Sequence, residues 1–171
     1  MPKTSSLNYA DASPVKLEKK LLEQLKLRLP LSFPEDKMSF VNVVCPKKNW
    51  GLEISGTVEG EEVYTNDEYG TTSFRVKFTS TLLKKTLDQW STQLAKKCKL
   101  IVKEVMDDYG VCFLKLKESV VVNGEPVDME RFESLLHEGG EFTALIEPGF
   151  YVNTSTDQAG TYFKLKKIDF K

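Results

Sequence analysis

A mainly β fold carrying one long helix is what this sequence predicts, and three observations predict it. Short segments alternate apolar and polar residues with a period of two, as in Trp50–Ser55, Phe74–Phe78 and Phe142–Glu147. One stretch alone has a convincing helical period: Leu83, Leu87, Trp90 and Leu94 recur at steps of four, three and four residues. Between these segments stand turn residues such as Asp107-Asp108-Tyr109-Gly110, Asn123-Gly124 and Gly139-Gly140. Several strands around one central helix, joined by long loops, make an α+β fold with a small β-barrel or strongly bent sheet.

In chain order, residues 1–13 read as a flexible tail. Ser13-Pro14 then suits the opening of a short helix over 15–24, with serine as cap, proline in the first turn and Leu17 and Leu21 on one face. Leu25, Leu27, Leu29 and Leu31 alternate with polar residues and predict an extended segment broken by Pro30 and Pro34. Residues 1–35 are thus expected as an N-terminal extension, and 36–171 as one domain without internal repeats. Within it, Ser39–Val44 is rich in strand formers, Pro46–Asn49 is a turn, and Trp50, Leu52 and Ile54 alternate along a half-buried strand. An acidic, polar loop is expected over 59–70, then the strand of Phe74, Val76 and Phe78, then the helix Thr81–Lys97 capped by Ser80 or Thr81. Lys99–Val105 and Val111–Lys117 form a strand pair around the Asp/Gly turn. A short helix is expected at 128–136, with His137 at its end where a cation suits the dipole. A closing hairpin carries GFYVN and GTYFKLKK on its two arms.

Composition narrows the function classes. Charged residues make up 29% and the formal net charge is −1, so any basic surface must be local. No apolar run approaches the ~20 residues that span a bilayer, and no secretory signal opens the sequence. Cys45, Cys98 and Cys112 are an odd number without CxxC spacing, which points to an intracellular, reducing compartment and no zinc site. A single histidine removes most catalytic triads and metal centres, and no phosphate-loop, dinucleotide or zincin motif occurs. Asp107-Asp108 is explained by its turn, and Cys98, between lysines, is expected to have a lowered pKa without being a nucleophile. No catalytic residue, metal or cofactor is expected.

The outward positions of the strands carry the interest. With Phe74, Val76 and Phe78 inward, Arg75 and Lys77 face out; with Cys112, Leu114 and Leu116 inward, Phe113, Lys115 and Lys117 face out. With Phe163 and Leu165 inward, Tyr162, Lys164 and Lys166 face out. Lys47, Lys48 and Trp50 add a cluster at a strand edge, and one of Phe150 and Tyr151 must point away from the core, Tyr151 being the candidate. Aromatic rings beside lysines suit single-stranded nucleic acid, because bases stack on the rings while ammonium groups follow the phosphates. The plainer account is that lysines on outward strand positions guard edges against aggregation.

The order of these elements, with Tyr151 and Asn153 before a polar loop and Gly160, Lys164 and Leu165 after it, resembles the OB-fold single-stranded DNA-binding proteins of short-tailed bacteriophages and some large DNA viruses. The resemblance covers roughly residues 70–170. It implies an OB-fold-like barrel and sequence-tolerant binding of single-stranded DNA in replication, recombination or repair, at a host-cell or viral replication site. Replication proteins such as a DNA polymerase, and self-association, are the partners it implies; no membrane is. Members of that family end in a strongly acidic tail that contacts those partners, whereas this sequence ends Ile168-Asp169-Phe170-Lys171. Either the chain is shortened or the contact falls on the acidic stretches 59–69 or 125–141. The competing classes are a β-barrel protein-interaction module and a binder of single-stranded RNA.

Overall fold

The computed structural model describes residues 13–16, 25–29, 33, 38–45, 49–66, 71–80, 82–103, 106–107, 109–116 and 119–171. It is mostly β. The strands are β1 (Ser13–Lys16), β2 (Lys26–Leu27), β3 (Met38–Val44), β4 (Trp50–Asn66), β5 (Thr71–Phe78), β6 (Ile101–Lys103), β7 (Val111–Leu116), β8 (Ser119–Val122), β9 (Glu125–Asp128), β10 (Glu141–Asn153) and β11 (Gln158–Phe170). Two helices accompany them among the described residues, here α1 (Leu82–Cys98) and α2 (Met129–His137).

Pairing runs β10–β4–β5–β7–β11, and β11 pairs again with β10. The last link of that run, β7 with β11, is a single parallel register pair, Lys115 with Lys164, so the barrel-like arrangement is not closed by a continuous ladder. Strand β10 is shared: Glu141–Ile146 pairs with β4, and Gly149–Asn153 pairs with β3. Period-two alternation sends Phe74, Val76 and Phe78 of β5, Leu52 and Ile54 of β4, and Phe142, Ile146 and Phe150 of β10 into one core.

Helix α1 forms because its apolar residues share a face: Leu83, Leu87, Trp90 and Leu94 are all buried. The Ser80 hydroxyl accepts from the Leu82 amide at 3.2 Å. Helix α2 is capped by Asp128, whose carboxylate accepts from the Arg131 amide at 2.8 Å, and it packs against β4. Its Phe132 ring meets Phe74 edge-on at 5.1 Å.

Three expectations about elements change. Among the described residues, Lys99–Val105 and Val111–Lys117 do not form a strand pair around the Asp/Gly turn: Ile101–Lys103 pairs in parallel with β11, and Val111–Leu116 pairs with β5 and β11. Ser13–Lys16 is a strand parallel to Trp50–Glu53, where a helix over 15–24 was expected; residues 17–24 lie outside those described. Sequence periodicity over so short a stretch does not outweigh a row of ladder hydrogen bonds offered by β4. The acidic loop expected at 59–70 is strand as far as Asn66, which pairs with Thr71; residues 67–70 lie outside those described. Valine and tyrosine at 63 and 64 extend the hairpin, and the polar excess is absorbed by a bulge in which residues 59–62 stand opposite Arg75 alone.

Among the described residues no helix is long and apolar enough to cross a membrane. The three cysteines form no disulfide.

Candidate nucleic-acid interface

The outward residues of β3, β10, β11, β7, β5 and β4 meet on one continuous surface because strand partners opposite each other point to the same side. Register places Phe40 opposite Tyr151, Tyr162 opposite Gly149, Lys164 opposite both Glu147 and Lys115, Lys115 opposite Ser73, and Phe113 opposite Arg75. The two glycines matter here. A Cβ at Gly149 would lie 2.6 Å from the Tyr162 ring, and one at Gly160 would lie 2.3 Å from the Tyr151 hydroxyl. Each tyrosine therefore lies flat across a glycine on the neighbouring strand, and no larger residue leaves that room.

Aromatic pairs tile the surface. The Phe40 and Tyr162 rings meet edge-on at 5.9 Å, and Tyr64 and Phe113 meet edge-on at 5.6 Å. Between the pairs, the Lys115 ammonium sits 5.2 Å from the Tyr162 ring centroid. Three of these rings are strongly exposed: Phe40 at 58%, Phe113 at 47% and Tyr64 at 46%. Phe40, Asn42, Lys115, Leu116, Tyr162 and Lys164 line a shallow depression of about 460 Å³. The depression thus brings two aromatic rings and two lysine side chains together.

Burial lowers the pKa of the half-covered Lys115 ammonium. Burial also raises the Tyr162 phenol, with the Glu147 carboxylate adding to the rise and Lys164 opposing it. Arg75 and Lys77 are exposed and form no ion pair with a described carboxylate.

Of the residues expected at the site, Arg75, Lys77, Phe113, Lys115, Tyr151, Tyr162 and Lys164 share this surface. The choice between Phe150 and Tyr151 resolves: Phe150 is fully buried and Tyr151 faces out. Lys47, Lys48 and Lys117 lie outside the described residues.

Two expected site residues do not belong. Trp50 is 6% exposed and packs in the core, because it shares the phase of Leu52 and Ile54 on β4. Lys166 is 5% exposed and turned inward. Leu145 pairs with Lys167 and Ile146 with Leu165, so Lys166 is an extra residue in a bulge and the inward phase shifts from Phe163 and Leu165 to Ile168. The buried Lys166 ammonium donates to the Trp50 carbonyl and pairs with a Glu147 carboxylate oxygen at 3.5 Å. Cys98 also departs from expectation: burial raises its thiol pKa, and the opposing pull of Lys97 is the weaker cause.

Phe40 and Tyr64 were missed at the sequence level. For Phe40 the signal was present, since Val41 and Val43 alternate with it and fix it outward. For Tyr64 it was hidden among the acidic residues that made 59–70 read as a loop. Compared with protein-family models, with curated proteins and with solved structures, the chain finds no match.

Proposed function

We propose that this protein binds single-stranded nucleic acid without regard to sequence, and that its ligand is DNA exposed during replication, recombination or repair. The observation that carries the reading is the outer surface just described, where exposed rings alternate with Lys115, Lys164, Arg75 and Lys77 across adjacent strands. Stacking of bases on such rings contributes about 1–3 kcal/mol per base and does not depend on base identity. The mechanism is passive: the strand lies across the surface, bases on Phe40, Phe113 and Tyr162, phosphates on the cations.

The strand order supports an OB-fold reading. Taking β4, β5, β7, β10 and β11 as the five barrel strands, their pairing order and the incomplete closure between β7 and β11 support a five-stranded, partly open barrel of the OB kind. In that arrangement the second and third strands present the oligonucleotide-binding face. Here they are β5 and β7, the strands of Arg75, Lys77, Phe113 and Lys115. The unpaired thiols support a reducing, intracellular setting. Viral replication as that setting, a replication protein such as a polymerase as partner, and self-association rest on the sequence resemblance.

The test is titration of a fluorescein-labelled oligo-dT of about thirty nucleotides, long enough for more than one OB fold, at rising salt and beside a duplex. Tight, salt-sensitive binding to the single strand with little to the duplex is expected. Absence of binding at low salt overturns the reading and leaves the exposed rings to a protein partner. A matched oligo-rU series separates DNA from RNA, since only contacts that sense the 2′-hydroxyl discriminate them.

A further inference from the structure

The basic edge of this surface does not stop at Arg75. Lys77 lies on the same side of β5 and opposite Val111 of β7. It also lines a second depression, of about 370 Å³, together with Thr57, Thr79, Lys84 and Tyr109. Tyr109 is 77% exposed, more than any other large apolar or aromatic residue among those described.

Its backbone is nevertheless held. The Asp107 carboxylate accepts from the Tyr109 amide at 2.8 Å and from the Val111 amide at 3.0 Å. These bonds, the one from Val111 foremost, hold the Asp107 carboxyl below its usual pKa, with Arg75 and Lys77 adding to the effect. The Gly110 amide donates to the Asp107 carbonyl at 3.1 Å, and the Phe78 amide donates to the Gly110 carbonyl at 3.0 Å. Gly110 has φ +87°, and a Cβ there would come within 2.7 Å of the Phe78 carbonyl. The turn is thus bonded to the end of β5, and an aromatic side chain stands on it in water. Lys77 and Lys84 both line the depression; Lys84 pairs with Asp88 at 3.3 Å, while Lys77 shares the outward face of β5 with Arg75.

We propose that Tyr109 and Lys77 form a further subsite of the same interface, receiving one nucleotide of a single strand beyond those on Phe113 and Tyr162. The base stacks on the Tyr109 ring and Lys77 meets the adjoining phosphate. The inference rests on the single-strand reading given above. It extends that reading along the paired strands, from Phe113 opposite Arg75 to Val111 opposite Lys77 and on to Tyr109.

The experiment compares oligo-dT of about six and about sixteen nucleotides, lengths that bracket the occupancy of one OB fold. Binding is measured for the full chain, Tyr109→Ala, Asp107→Ala and the pair Phe113→Ala with Tyr162→Ala, with melting temperature as the folding control. Tyr109→Ala is expected to weaken the longer oligonucleotide about 5- to 150-fold, the range of one lost stack, and to leave the shorter one unchanged. Asp107→Ala keeps the ring and frees its mount, and is expected to give a smaller loss on the longer oligonucleotide alone. Tyr109→Phe retains binding. If Tyr109→Ala changes neither length while the Phe113/Tyr162 pair weakens both, the subsite is overturned and the main surface stands. If Tyr109→Ala weakens both lengths equally, the ring belongs to the main surface and the extension is overturned. If no variant changes binding, the single-strand reading fails and takes the subsite with it.

Discussion

The two halves of β11 present lysines to very different neighbours. Before the bulge, the strand carries Tyr162 lying over Gly149 and Lys164 opposite Lys115, within a field of rings. At and after the bulge, Lys166 is buried against Glu147 and the Trp50 carbonyl, and Lys167 lies in a small depression with Glu53 and Asp169. Lysines stand at 164, 166 and 167 of the strand, yet the first shares its surface with Tyr162 and Lys115 as well as with Glu147, while the other two sit among carboxylates and a carbonyl. A cation already matched by an anion of its own chain has little left for a phosphate; a cation beside a ring keeps its field. Lysine density therefore measures a binding surface poorly, and the groups around each ammonium measure it better.

The largest effect that sharpens this contrast comes from the rings of the first half and its neighbour. Phe113→Ala with Tyr162→Ala is expected to lower affinity for a single strand by at least about 30-fold, taking about 1 kcal/mol per ring as the lower limit, with little change in melting temperature. The second effect belongs to the other half and concerns stability. Glu147→Ala removes one charged partner of the buried Lys166 ammonium and is expected to destabilise by about 1.5–3 kcal/mol in urea denaturation. Lys166→Met in the same background should recover most of that loss. A recovery of nothing would mean that the ion pair is not what Glu147 contributes.

Salt dependence gives a smaller, cleaner separation. Arg75→Ala and Lys115→Ala are each expected to flatten the log–log salt slope by about 0.7, the value for one single-strand phosphate contact. Lys166→Met is expected to leave the slope unchanged. Equal slopes for all three would erase the distinction between the halves. The smallest effect tests the two sides of β7. Cys112, next to exposed Phe113, is buried, and burial pushes its thiol pKa far up, with Asp107 a lesser cause. The unfolded thiol ionises near pH ~8.5 while the folded one stays protonated. Stability should be fully present below that pH and decline as pH rises above it, and a Cys112→Ala variant should lack that decline. A thiol reagent should label Cys45 and Cys98 before Cys112.

Much of this was legible from alternation alone. The outward places of Arg75, Lys77, Phe113 and Lys115 follow from the inward phase of Phe74, Val76, Cys112 and Leu114, because a strand has only two sides. The same rule puts Trp50 inward, in step with Leu52 and Ile54, and the expectation that placed it in the edge cluster set that rule aside. What alternation cannot reveal is a change of phase. The bulge at Lys166 depends on how Leu145 and Ile146 pair with a partner strand, and the bulge at 59–62 depends on Val63 finding Phe74. Both are properties of two strands together. So is the use of Gly149 and Gly160 as beds for Tyr162 and Tyr151: each glycine is uninformative until the register names the ring that covers it. The β8–β9 hairpin was signalled only at its turn, where Asn123 and Gly124 both take positive φ.

The position of β10 and β11 has a consequence for how the chain comes to be folded. These two strands occupy residues 141–170, yet they supply the partners of β3, β4, β6, β7 and β8. A nascent chain that has reached residue 140 lacks every pairing that β10 and β11 supply. At synthesis rates of about 5–20 residues per second, those partners are missing for seconds. Closure joins strands far apart in sequence, which makes the final step slow for a protein of this size. Arrival of the β10–β11 hairpin then completes the sheet. It brings the core's Phe142, Phe150 and Phe163 and the surface's Tyr151, Tyr162 and Lys164 into place together.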